Sequence, residues 1–259
     1  MPHASGPAGS ANRLLQPGDP DPVGVERPDG RSTLVLACDH GGNAVPQALD
    51  GLGLPPTELL RHIAVDVGAL GVARHLSHAL DAPLVHQRFS RLVIDCNRGP
   101  DVTSSRPEIA DGTPVPGNSS LSQADIDKRV AEIFTPYQRA LGDLLDWRQT
   151  AGGSPVLVAV HSFTPRLREA GKNRPWHIGV LFNRDPRVGR ALIGLLKDEG
   201  DLVVGENQPY AVDDINDYTI PVHGERRGIP HVEIEIRQDL IATDADQRAW
   251  GSRLARLLP

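Results

Sequence analysis

The sequence predicts an α/β layer domain built on a largely parallel sheet, and three observations carry that reading. Short β-branched apolar runs alternate with helical patterns along most of the 259 residues. Several of the runs are continuously apolar, as in strands that helices cover on both faces. Their ends deliver polar residues, and ligands of such sheets bind in the crevice beyond the carboxyl ends of the strands.

In chain order, residues 1–31 are rich in Pro, Gly, Ser and Asp without periodicity, which predicts a flexible N-terminal arm; a single domain then spans 32–259. Strands are predicted at TLVLAC (33–38), PLVHQR (83–88), RLVIDC (91–96), PVLVAV (155–160), HIGVLF (177–182), LVV (202–204) and HVEIEI (231–236). Helices are predicted at about 57–80, 122–150, 186–199 and 243–258. The helix at 57–80 follows Pro56-Thr57 and has Leu59, Ile63, Leu70 and Ala73 on one stripe, with Asp66 on the same stripe. The Pro- and Gly-rich stretch 99–118 reads as one long irregular loop, a candidate lid.

Bulk properties exclude several function classes. The formal net charge is −6 and the basic residues are scattered, so neither nucleic acid nor an anionic membrane is an expected partner. The N-terminus has no basic segment followed by an apolar one, and no run of about 18 apolar residues occurs, which predicts a soluble, cytoplasmic protein. Cys38 and Cys96, the two cysteines, lie in apolar runs and read as buried reduced thiols.

The chemistry gathers at the predicted strand ends: Asp39-His40, Asn97-Arg98, His161-Ser162, Asn183-Arg184-Asp185 and Arg237. His40 and His161 each stand at the end of an apolar run, where two imidazoles can meet over the sheet edge. Two histidines and a carboxylate form a common zinc set for hydrolysis, leaving a position at which water is acidified. Asp66 is a candidate third ligand, because an aspartate on a core-facing stripe needs a cation or donors; an arginine partner or a cap would serve as well. A surface-helix histidine or a support for Asp66 are both open readings for His62. In HVEIEIRQD, period 2 sets Val232, Ile234 and Ile236 on one face and His231, Glu233, Glu235 and Arg237 on the other. Either glutamate could take a proton from an attacking water. Arg91, Arg98 and Arg184 supply guanidinium forks for a carboxylate or for internal salt bridges. Gly41 and Gly42 suit either close backbone approach to a ligand or a plain turn.

Five segments, DHGGNAVP, SRLVIDCNR, VHSFTP, RPWHIGVLFNRD and HGERRGIPHVEIEIRQDLI, together resemble the N-formylglutamate amidohydrolase family, and the resemblance runs over about residues 34–258. The D-H-G-G-N and H-S-F-T-P segments resemble a divergent branch of it. The resemblance implies a three-layer α/β sandwich with a central mixed, largely parallel sheet, phosphorylase/hydrolase-like and similar to zinc carboxypeptidases and aminoacylases. It implies zinc held by His40, Asp66 and His161, with Glu235 as the acid/base residue. Arg91, Asn97 and Arg98, together with Asn43, His177 and Asn183, become the implied substrate-binding residues. The implied activity is zinc-dependent hydrolysis of a linear amide C–N bond in amino-acid metabolism. The substrate would be a small N-acyl amino acid such as N-formylglutamate, giving formate and a free amino acid. Two rival expectations are a carboxypeptidase- or deacetylase-like hydrolase acting on a peptide or cell-wall fragment, which an open groove would favour, and a non-catalytic ligand-binding relative.

Overall fold

The computed structural model describes residues 13–168, 171 and 173–258. In chain order the elements are β1 (Val23–Glu26), β2 (Leu34–Cys38), α1 (Ala69–Leu80), β3 (Leu84–Gln87), the short pair β4 (Ile109–Ala110) and β5 (Thr113–Pro114), and α2 (Gln123–Arg129). They continue with α3 (Thr135–Thr150), β6 (Val156–Phe163), β7 (Ile178–Leu181), α4 (Arg187–Asp198), β8 (Val204–Glu206), β9 (His231–Arg237) and α5 (Asp244–Leu257). Seven strands form one sheet in the order β1-β3-β2-β6-β9-β7-β8. The strands β3, β2, β6 and β9 run parallel, while β1 and the β7-β8 pair run the other way.

Strand alternation builds two cores. Leu34, Leu36 and Cys38 of β2, Val158 and Val160 of β6, and Val232, Ile234 and Ile236 of β9 face α1, α4 and α5, where Val72, Leu76, Leu192, Leu196 and Leu254 meet them. Val35, Ala37, Leu157 and Ala159 point to the other face, against Tyr137, Leu141 and Leu145 of α3. Each fully buried Val, Leu or Ile contributes about 1.5–3 kcal/mol relative to exposure, so these two faces hold the three layers together. Two helices have side-chain N-caps: Thr243 and Asp246 form a reciprocal capping box at α5, and the Ser122 hydroxyl accepts from the Asp125 amide at α2. A wider π turn over Val130–Phe134 joins α2 to α3 and completes the helix predicted at 122–150.

Four expectations are corrected. The apolar segment 91–96 is not a strand but a buried turn, with Leu92, Val93, Ile94 and Cys96 in the core. Its backbone carbonyls are satisfied by side chains instead of a neighbouring strand: Asn118 donates to Leu92 O at 2.9 Å, Arg129 to Val93 O at 2.9 Å and Gln138 to Cys96 O at 2.6 Å. The helix predicted from 57 begins only at Ala69, because Gly68 takes φ +80° and packs where a Cβ would lie 2.2 Å from Ile241 O. Asp66 therefore lies on a turn, its amide donating to His40 O at 3.1 Å, and not on a helical stripe. The region 99–118 folds back on itself through the β4-β5 pair. The arm is described from Arg13 onward and its first twelve residues lie outside the described residues. The described part is held in place: β1 pairs with β3, Leu14 is buried, and the Leu14 and Leu15 amides donate to the Glu132 carboxylate at 2.8 and 3.0 Å.

Candidate metal and active site

The strands β2 and β6 run parallel in register, so His40, two residues past the end of β2, and His161, inside β6, which runs on to Phe163 instead of stopping at 160, meet at one edge with their rings 4.9 Å apart. Asp66 reaches both from its turn. His40 Nδ1 is 3.2 Å and His161 Nδ1 2.8 Å from the same oxygen, Asp66 Oδ2. One donor atom from each of the three residues falls within 4.8 Å of the others, and all three residues are buried. The outward nitrogens are tied to carboxylates: His40 Nε2 lies 2.7 Å from Asp95 Oδ1, and His161 Nε2 lies 3.1 Å from Asp39 Oδ2. Asp39 in turn accepts from the Tyr137 and Thr219 hydroxyls, each at 2.7 Å.

This arrangement fits a divalent metal ion by its chemistry. Two imidazole nitrogens and one carboxylate oxygen converge, and a carboxylate on the far nitrogen of each ring fixes its orientation and raises its basicity. Burial alone would depress the pKa of both histidines and raise those of the acids. The carboxylates nevertheless lift His40 and His161 above the usual imidazole range. The histidines, with Arg91 acting first on Asp95, hold Asp39, Asp66 and Asp95 below the usual carboxylate range. A cation is thus favoured between these groups. The Asp95→Asn variant keeps shape but loses the charge on His40, so its zinc affinity is expected to fall about 10- to 100-fold. Competition against a chromogenic chelator measures this, and unchanged affinity would count against the arrangement.

Glu235 and Glu233 stand on the same face of the sheet as His161, as period 2 predicts, with Glu235 in register beside His161. Both are almost wholly buried, and Oε2 of each has no hydrogen-bond partner among the described residues. Burial pushes the Glu235 carboxyl up to about 7, against the lowering pull of His161, and pushes Glu233 well above the usual range. A carboxyl group titrating near neutrality beside a candidate metal can exchange a proton with water or a leaving nitrogen.

A cavity of about 320 Å³ opens over these groups, lined among others by His40, His62, Arg91, Asn97, Arg98, His161, Tyr210, Asp217, Glu233 and Glu235. The predicted substrate-side residues divide. Arg91 lines the cavity, but its nitrogens are spent on Asp66 Oδ1 at 3.2 Å and Asp95 Oδ2 at 2.7 and 3.1 Å, so it orients carboxylates. Asn97 accepts from the Tyr218 and Thr219 amides and donates to Asp217, which fixes the segment opposite. Arg98 is less tightly held, with Nη1 on Asn216 Oδ1 at 3.1 Å and Nε 3.6 Å from Asp95 Oδ2.

Asn43, His177 and Asn183 do not line the cavity. Asn43 donates to Leu59 O at 3.0 Å and closes its loop. His177 precedes β7 and accepts from the Val203 amide. Asn183 lies beyond the end of β7, which runs antiparallel to β9 and so carries Asn183 and Arg184 to the opposite end of the sheet, where both meet Glu225. Arg237 turns to Asp239. Gly42 packs on its own chain, since a Cβ there would lie 2.0 Å from Arg88 O. His62 lies 3.2 Å from Asp111 Oδ2, at the tip of the β4-β5 hairpin, which thereby leans on the cavity wall.

Sequence reading placed Asp39 at a strand end without giving it a role, and missed Asp95, Tyr210 and Asp217. Asp95 was hidden by the strand reading of 91–96, and Tyr210 and Asp217 sit on a segment with no periodicity.

The sequence model of the N-formylglutamate amidohydrolase family matches residues 32–242. The chain is similar in structure to a gene product of Agrobacterium tumefaciens, with 37% sequence identity, a TM-score of 0.90, and coverage of 95% of this chain and 96% of that one. It shares its fold with N-formylglutamate amidohydrolase from Ralstonia eutropha JMP134, at 20% identity and a TM-score of 0.63, over 91% of this chain and 97% of that one. No curated protein matches the sequence. No described helix is long and apolar enough to cross a membrane.

Proposed function

The chain belongs to the N-formylglutamate amidohydrolase family, and from that premise we propose that it is a zinc-dependent hydrolase of the N-formyl or N-acyl amide of a small carboxylate-bearing amino acid. The observation that carries the reading is the meeting of His40, Asp66 and His161 beside Glu235, whose Oε2 meets no donor among the described residues, on one small cavity. In this reading His40, Asp66 and His161 hold the ion. A bound divalent ion supplies Lewis-acid polarisation of the amide oxygen and acidifies water.

The chain's own residues do the rest. Glu235 takes a proton from the attacking water, whose oxygen bonds to the acyl carbon, and returns it to the nitrogen as the C–N bond breaks. The products are formate, or another carboxylate, and a free amine. Asp95 and Asp39 hold the two imidazoles in orientation, and Arg91 holds Asp66 and Asp95 in theirs. Arg98 meets the substrate carboxylate. A cavity of about 320 Å³ is at the small end of ligand pockets and suits an acylated amino acid better than a peptide or cell-wall fragment. Two free, buried thiols suit a reducing cytoplasm.

The test is amine release from N-formylglutamate and a panel of N-formyl and N-acetyl amino acids by the zinc-loaded protein. The reading expects turnover of at least one panel member, abolished by chelation and restored by zinc. No release from any of them by protein that has bound zinc would refute it.

A further inference from the structure

Resting on the amide-hydrolase reading above, we infer that the amine half of the substrate carries a cationic group, an ammonium or guanidinium, received by Glu233 and Asp217; the substrate class is then an N-acylated basic amino acid. The charges facing the cavity lead there. Asp39, Asp66 and Asp95 are matched by Arg91 and a divalent ion at the histidines, and each of these carboxylates already has its partners. Asp213 is satisfied within its own turn by the Ile215 and Asn216 amides and the Asn216 side chain. What remains among the described residues are Glu235, with its proton-transfer role, Glu233 and Asp217, against His62, which is held by Asp111, and Arg98, whose Nε lies 3.6 Å from Asp95 Oδ2.

A second observation is independent of that count. Glu233 is 3% exposed, lines the cavity, and its Oε2 meets no donor among the described residues. A buried acceptor without a donor costs free energy unless a ligand supplies one. Asp217, on the wall of the same cavity, is engaged among the described residues by one long bond from Asn97 Nδ2 at 3.3 Å and by the Asp213 amide at 2.9 Å. Burial pushes both carboxyls up, as expected of acids whose counter-ion comes with the ligand. The cations explain the other half of the selectivity. A dicarboxylate such as glutamate wants two guanidinium partners, and Arg91 is fully spent on Asp66 and Asp95, which leaves Arg98 for one carboxylate.

Binding tests this with three compounds: N-formyl-lysine, its neutral near-isostere N-formyl-norleucine, and N-formylglutamate. Each is titrated calorimetrically into zinc-loaded Glu235→Gln protein, chosen so that cleavage does not distort the isotherm. The expected result is that the lysine compound binds at least about tenfold tighter than the norleucine compound, as a charged hydrogen bond implies. That ratio should fall to within about twofold when Glu233→Gln or Asp217→Asn is added. Equal affinity for lysine and norleucine, tightest binding of the glutamate compound, or no binding of any of the three would overturn the inference. Failure of the hydrolase reading is seen separately, as no amine released from any member of the N-formyl and N-acetyl amino acid panel by the wild-type zinc-loaded protein.

Discussion

Replacing Glu235 by glutamine is expected to lower kcat about 100-fold or more with bound metal retained, because on the proposed reading the substitution removes the proton acceptor and leaves His40, Asp66 and His161 untouched. Steady-state kinetics and elemental analysis on the same preparation measure both halves, and near-normal turnover would contradict the assignment of the base. A second readout follows from burial. A free glutamate carboxyl has a pKa of 4.5, and the Glu235 carboxyl is raised to about 7. For an acid raised in the folded state there is no cost below pH 4.5, where both states are protonated. The cost grows as pH rises from 4.5 to 7 and is constant above. Glutamine carries no such cost. In the absence of metal the variant is therefore expected to melt higher than wild type at pH 8, by roughly 5 °C, and at the same temperature near pH 4. A residue that both slows the reaction and weakens the fold is hard to explain as a packing element.

Much of the fold was legible because its information is local. The runs at 33–38, 155–160 and 231–236 are strands because β-branched residues filling both faces have few other stable arrangements, and the Val232, Ile234, Ile236 alternation correctly sent Glu233 and Glu235 to the opposite face. What failed depended on partners distant in the chain. Residues 91–96 have a strand's composition, yet Asn118, Arg129 and Gln138 satisfy their carbonyls, and no property of the segment itself reports that. Asn183 follows a true strand, but strand direction is fixed by pairing with β9, so a polar strand end pointed away from the cavity. Asp66 was singled out for a helical stripe that does not exist; it faces the histidines because its turn is hydrogen-bonded to the His40 loop. Arg91, expected on the substrate side, faces Asp66 and Asp95, because two buried carboxylates beside it demand a counter-charge.

The second large effect concerns the ion itself. His40 and His161 each contribute one Nδ1 to the cluster, and removing either leaves two donors where three are needed to hold zinc firmly in a catalytic site. It also leaves Asp95 or Asp39 facing the space of a missing ring. His40→Ala and His161→Ala are therefore expected to lose the metal altogether, a larger effect than the graded weakening of Asp95→Asn. Circular dichroism on the same samples separates loss of metal from loss of fold.

The most direct measurement is thus metal content by elemental mass spectrometry, on the purified chain and on His40→Ala and His161→Ala. The account predicts about one zinc per chain in the wild type and none in either folded variant. Wild-type protein that contains no zinc and takes none up when it is supplied, or variants that retain it in full, would contradict the account.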